Sequence, residues 1–160
     1  MAGFIKFEGV DGEAQDKDHK AWSDILSFTQ AIKKPGATAT GPTRRRGDVV
    51  LEDVVVTKEI DKATPKLAEA VCLGRVFPKV EIHLTASYTD AGRVTYYAYE
   101  LKNAQVTSYS VGGSGQSEDV PVEEMNLNFE EIKVTYTETD QTGKTVGNIE
   151  YSWKVEAGSR

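Results

Sequence analysis

The stretch VVVTKEIDKATPKLAEAVCLG, residues 54–74, decides the reading of the fold. Its β-branched opening, Val54-Val55-Val56-Thr57, has the composition of a strand and runs into the charged Lys58-Glu59-Ile60-Asp61-Lys62. A helix follows at once. Thr64 carries a side-chain oxygen for the free N–H groups of a helix start and is the expected N-cap. Pro65 then takes the first helical position, where its missing N–H costs nothing. Leu67, Ala70 and Val71 recur at helical spacing, and Gly74 provides the stop. One short helix, about 64–73, in a chain otherwise patterned for strands predicts a mainly β fold, a small barrel or sandwich. The helix would lie against it and cover apolar surface.

Outward from that segment the pattern has a period of two. Val80, Ile82, Leu84, Ala86 and Tyr88 alternate with Glu81, His83, Thr85 and Ser87. Ile149, Tyr151, Trp153 and Val155 alternate with Glu150, Ser152 and Lys154. Both runs predict a sheet with one buried face. Arg93 to Ser108 is long and rich in tyrosine, and Asp90-Ala91-Gly92 marks a hairpin turn before it. Elsewhere the phase slips. Leu127 and Phe129 are odd-numbered whereas Ile132, Val134 and Tyr136 are even, which predicts a β-bulge at Glu130-Glu131. Val49 and Leu51 against Val54 and Val56 predict another at Glu52-Asp53. Roughly eight strands and one helix, mainly antiparallel, are expected.

The 160 residues suffice for a proper core, and 39% hydrophobic with 28% charged residues is ordinary for a soluble domain. The simplest organisation is one domain over 1–157 and a tail, Gly158-Ser159-Arg160, with the look of a vector-derived remnant. No apolar run approaches the ~20 residues of a membrane-spanning helix. MAGFIKFEGVDGE has neither the basic start nor the apolar block of a secretory signal, so export is expected to bypass signal peptides. The single cysteine, Cys72, excludes an intrachain disulfide, fits folding in a reducing cytosol, and is expected to be a buried structural thiol. The net charge of −6 is uneven: residues 118–156 hold ten acids against three bases, while residues 1–117 carry fifteen of each. Residues 25–47 contain Lys33, Lys34, Arg44, Arg45 and Arg46 and no acid. An acidic whole argues against nucleic acid as the main partner.

Several stretches together resemble one family. They are Phe4-Ile5-Lys6-Phe7 leading to Gly9-Val10-Asp11-Gly12-Glu13 and Asp16-Lys17-Asp18-His19, then TKEIDKATPKL at 57–67 with Ala70, Cys72 and Gly74. Val111-Gly112-Gly113-Ser114-Gly115 and Glu124-Met125-Asn126-Leu127-Asn128-Phe129, before Ile132-Lys133-Val134-Thr135-Tyr136, continue the series. In that order, over about residues 3–155, they resemble the haemolysin-coregulated protein (Hcp) family of type VI secretion tube subunits. The resemblance implies two antiparallel sheets forming a β-barrel with the helix on one side. It also implies six-membered rings with a central channel, stacked into a tube inside a contractile sheath and propelled outward with a spike and effectors. Small rings would also shelter effectors. The protein would stand in the cytoplasm before firing and be secreted, or delivered to a target cell, afterwards. Ring or stacking contacts would fall on Lys33, Lys34, Arg44, Arg45, Arg46, Glu118 and Asp119, and the channel wall on Ser27 and Thr29.

No reaction centre is expected. His19 and His83 have no metal-ligand spacing and read as surface side chains, one in a charged turn and one on the polar face of a strand. Gly112-Gly113-Ser114-Gly115-Gln116 lacks the closing glycine and the helix of a nucleophile elbow, and the Lys-Ser/Thr ending of a phosphate loop. The acid pairs Glu52-Asp53, Glu123-Glu124 and Glu130-Glu131 point to opposite faces if they lie in strands. No enzyme, cofactor, metal, nucleic-acid or membrane role is therefore assigned. The basic loop 33–47 stands open as a solvated loop, a subunit-contact arm or a nucleic-acid site without stacking aromatics. A monomeric ligand-binding barrel and a hydrolase with an unrecognised site are the competing readings.

Overall fold

A computed structural model describes residues 2–34, 49–89 and 91–155. Chain order is β1 (Ala2–Phe7), β2 (Ser23–Ile25), β3 (Ser27–Thr29), β4 (Ile32–Lys33), β5 (Val50–Leu51), β6 (Val54–Glu59), α1 (Thr64–Leu73), β7 (Val76–Tyr88), β8 (Gly92–Gly112), β9 (Val122–Asn128), β10 (Glu131–Thr139) and β11 (Thr145–Lys154). Among the described residues the fold is mainly β with one helix, as the patterning predicts. Nine strands form one antiparallel sheet in the order β2-β1-β7-β8-β9-β6-β3, with the β10–β11 hairpin joined to β8. The short β4 and β5 pair separately.

The ends of that order meet on one segment. β2 pairs with β1, β3 pairs with β6, and only Leu26 separates them, its N–H bonded to the Thr57 carbonyl at 2.8 Å. The sheet thus curls until a kinked strand touches both ends, although no continuous ladder closes it into a strict barrel. Phe7, Val56, Leu67, Phe77, Val80, Ile82, Leu101, Met125, Leu127 and Ile132 fill the interior, each at most 2% exposed.

α1 lies where the sequence places it and seals the core with Leu67 and Ala70. Its start differs from expectation. Ala63 is the N-cap and makes no side-chain cap, so Thr64 is already helical and Pro65 follows within the first turn. Thr64 Oγ1 instead accepts the Asp61 N–H at 2.9 Å, and Asp61 Oδ1 accepts the Ala63 N–H at 3.0 Å. At the other end Gly74 adopts φ 64° and ψ 33°. The Arg75 and Gly74 N–H groups bond back to Ala70 and Val71, the paired closure that favours glycine there. Cys72 is exposed rather than buried, because the face that carries Leu67 and Ala70 turns away from it.

The apparent bulge at Glu130-Glu131 is something else. β8 pairs Gln105 with Asn128 and Lys102 with Glu131, so the offset is unchanged across the break and no residue is inserted. β7, β8 and the β9–β10 strand change face together: Phe77 then Val80, Ala104 then Leu101, and Phe129 then Ile132 are buried, each across two outward residues. Asn103, in the left-handed region at φ 50°, stands on this crease and donates to Glu130 at 2.8 Å. The slip at Glu52-Asp53 is likewise a change of strand, from β5 in the small sheet to β6 in the large one. A true register shift falls at Leu84/Thr85, where Thr85 becomes fully buried and the alternation read along β7 is broken. The β7–β8 hairpin forms with Gly92 at φ 70°, and Asp90 lies outside the described residues.

Candidate assembly interface

The β10–β11 hairpin carries the core outward into solvent. Its register across β8 builds three rows: Leu101–Ile132–Trp153, Tyr99–Val134–Tyr151 and Tyr97–Tyr136–Ile149. All share one face, since partners stand side by side and each row lies two residues from the next. In the first row Leu101 and Ile132 are sealed. In the last, Tyr136 is 47% and Ile149 73% exposed, with Tyr151 at 44% beside them. The other face is polar, with Lys133 and Glu150 3.5 Å apart. Among the described residues β11 pairs only with β10, so its other edge, ten residues long, has no strand partner there. The Trp153 indole N–H is buried with no acceptor among the described residues. Burial holds the Tyr99 and Tyr151 hydroxyls above the ordinary tyrosine range. The expected alternation of Ile149, Tyr151 and Trp153 is present, but its face is only half covered.

The motif 57–67 builds a second, buried feature that the sequence reading missed. Lys58 and Glu123 are both fully buried and paired on neighbouring strands. Lys58 Nζ also reaches Asp61 at 2.9 Å, and Ser23 donates to Asp61 at 2.7 Å. Glu123 accepts from Tyr109 at 2.6 Å and from Thr64 at 3.1 Å. Burial, and then the bond to Glu123, raise the Tyr109 hydroxyl above its ordinary range. The cluster ties β2, β6, α1, β8 and β9 at one point. Its sequence traces are a lysine at an inward position of a strand otherwise filled by Val54 and Val56, and a glutamate in phase with the inward Met125 and Leu127.

The family model for the type VI secretion system effector Hcp matches residues 4–136. This chain belongs to the Hcp family. It is 33% identical to protein hcp1 of Pseudomonas aeruginosa over 153 residues, 95% of this chain and 93% of that protein. A solved type six secretion system protein superposes with TM-score 0.89 at 28% identity, covering 99% of this chain and 98% of that one. Hcp1 from Salmonella typhimurium shares the fold, with TM-score 0.78 at 23% identity over 99% and 97% of the two chains. Membership makes this Hcp chain a component of a type VI secretion system, in a family that is structural rather than enzymatic.

The contact residues expected on this Hcp chain are scattered. Lys33 is exposed on β4 and already pairs with Glu52 at 2.8 Å, a bond that raises its pKa. Lys34 is exposed, and Arg44, Arg45 and Arg46 lie outside the described residues. Glu118 and Asp119 are exposed on the β8–β9 connection, where the Asp119 N–H bonds Ser117 Oγ at 3.1 Å. Ser27 and Thr29 are exposed on β3, and Ser27 Oγ hydrogen-bonds Thr57 Oγ1. Among the described residues no three His, Cys, Asp or Glu side chains gather as metal ligands, and no helix is long and apolar enough to cross a membrane.

The histidines depart most from expectation. His19 is 3% exposed, not a surface residue. Its Nδ1 lies 2.6 Å from Asp16, and its Nε2 lies 3.0 Å from Nδ1 of His83. Nothing in the spacing of residues 19 and 83 could have shown this, because the β1–β7 pairing brings them together.

Proposed function

We propose that this chain is the inner-tube subunit of a type VI secretion system, six copies closing head to tail into a ring and rings stacking into a tube. The observation that carries the reading is the apolar strip Tyr97, Tyr136, Ile149 and Tyr151, which extends the core beyond what the described residues cover. A second apolar group, Leu73 and Val76 at the end of α1, is 72% and 51% exposed. Two unlike patches are what a heterologous ring contact uses. Sheath, spike and effectors would be the partners of the assembled tube, with effectors held by weak contacts repeated around the ring. The role is assembly, carriage and release. Lys33, Lys34, Arg44, Arg45, Arg46, Glu118 and Asp119 remain proposed stacking contacts, and Ser27 and Thr29 proposed channel residues. The monomeric ligand-binding alternative loses ground to the filled interior, where Phe7, Phe77 and Met125 occupy the space a ligand would need.

The test is sizing of wild type against Ile149→Asp and Tyr151→Asp. Wild type at micromolar concentration should run as a ring of about six times 17.5 kDa and appear as an annulus by electron microscopy. The variants should run as folded monomers. A wild-type monomer under all conditions, or variants that assemble normally, would reject the strip as the ring contact.

A further inference from the structure

The His19–His83 pair has a proton inventory that the tube reading does not use. Four groups stand in a line: Asp16, His19, His83 and Glu81, with contacts of 2.6, 3.0 and 3.6 Å. His19 is stacked on Phe4 at 4.5 Å and 9° and meets the edge of Trp22 at 4.8 Å, so it cannot turn while the segment stays in place. The charged groups facing the pair are Asp16 from the β1–β2 connection, Glu81 with Lys79 from β7, and Arg93 from β8, whose guanidinium is 3.2 Å from Asp16.

Two N–H protons make the hydrogen bonds of this line, one from His19 to Asp16 and one between the imidazoles, and a third fits on His83 Nε2, which faces Glu81 across 3.6 Å. That filling places one imidazolium charge between two carboxylates. A fourth proton sets N–H against N–H at the central contact and adds a second imidazolium beside Arg93.

We propose that Asp16, His19, His83 and Glu81 form a proton-counting lock, holding residues 11–22 on the outer face of β1 and β7 while the pair carries one charge and releasing them when it carries two. The segment is poised for this. It is held by the Gly12 N–H to Ala21, Ala14 N–H to Trp22 and Trp22 N–H to His19 carbonyl bonds within the connection, and by Lys6 Nζ on Asp11 and the Ala21 carbonyl and the Lys62 N–H on Glu13. Gly12 is packed so closely that a Cβ there would stand 2.5 Å from the Trp22 carbonyl oxygen. Ala14 and His19 are its buried side chains, and His19 is the one that reaches β7.

The sign follows from linkage. The released segment binds the fourth proton and the locked one resists it, so acid favours release. Asp16 is held below the ordinary carboxylate range first by its hydrogen bond from His19, and Glu81 first by His83 beside it.

Amide hydrogen exchange on the full chain tests this between pH 8 and pH 5, after correction for intrinsic rates. Opening at Ala14, His19 and Trp22 should rise at least tenfold toward pH 5, while Ile82 in β7 stays protected. In His83→Asn, whose amide stands near the original Nδ1 and does not titrate, the rise should vanish with the segment still protected. A flat wild-type profile, or an equal rise in His83→Asn, overturns the lock. If that variant fails to fold, ring 15N shifts of wild type decide. Two fully charged imidazoles at pH 5 with the segment still protected would overturn it, and charging coincident with opening would support it.

Discussion

Lys58 shows why a residue can matter more than its place in a pattern suggests. Burying an ammonium is costly unless carboxylates meet it, and Glu123 and Asp61 do so here. Lys58→Met should therefore leave Glu123 buried without its counter-charge and lose about 3–5 kcal/mol in urea unfolding. The double change Lys58→Met with Glu123→Leu should recover most of that loss. Equal losses in single and double variants would show that packing, not charge, matters at this point. Buried hydroxyls set the alkaline limit. The Tyr99 hydroxyl is raised by burial and then by its bond to Tyr97, so the folded state keeps a proton that the unfolded chain gives up near pH 10. Its contribution is full below about pH 10 and falls as pH rises beyond it. Tyr99→Phe should show a shallower fall in unfolding free energy between about pH 9.5 and 11.5 than wild type.

At the level of elements, the helix and the crease were visible to different degrees. The helix could be read because Pro65, Leu67, Ala70 and Gly74 act through local geometry, each within a turn of the next. Its cap could not, since Ala63 is chosen by the fit of Asp61 to Lys58 just before it and of Thr64 to Glu123 on a distant strand. The crease left a true trace, a change of phase between Phe129 and Ile132. One strand alone cannot say whether a residue is inserted or whether its neighbours turn with it. The registers of β7, β8 and the β9–β10 strand decide for turning. Asn103 makes the bend at φ 50°, so Asn103→Val should cost about 1–2 kcal/mol, whereas Asn103→Gly should lose little beyond its bond to Glu130. Thermal unfolding of the two variants separates strain from lost hydrogen bonding: equal destabilisation would deny strain at this position.

For the whole molecule, the Hcp chain has a curled sheet with a filled interior and a hairpin whose inner face runs out of core. The proposed basic arm is testable here. Joint alanine replacement of Arg44, Arg45 and Arg46 should weaken ring stacking at low salt, with the difference fading by about 0.5 M as charges are screened. Unchanged stacking at low salt would remove the arm from the assembly. The strand content, the helix, the antiparallel hairpins and the family were all determined by the sequence itself. Period, turn chemistry and an ordered series of motifs act between near neighbours or survive as recognisable strings. Which apolar face is covered was decided only in three dimensions. Ile149 and Val80 stand in equally regular alternations, yet one is 73% exposed and the other sealed. Burial depends on what lies opposite a strand, and that is set by strands and subunits far away along the chain or outside it. The same reason hid Lys58 against Glu123 and His19 against His83: a charge on a strand or an imidazole in a turn reads as solvent-facing until a distant element supplies its partner.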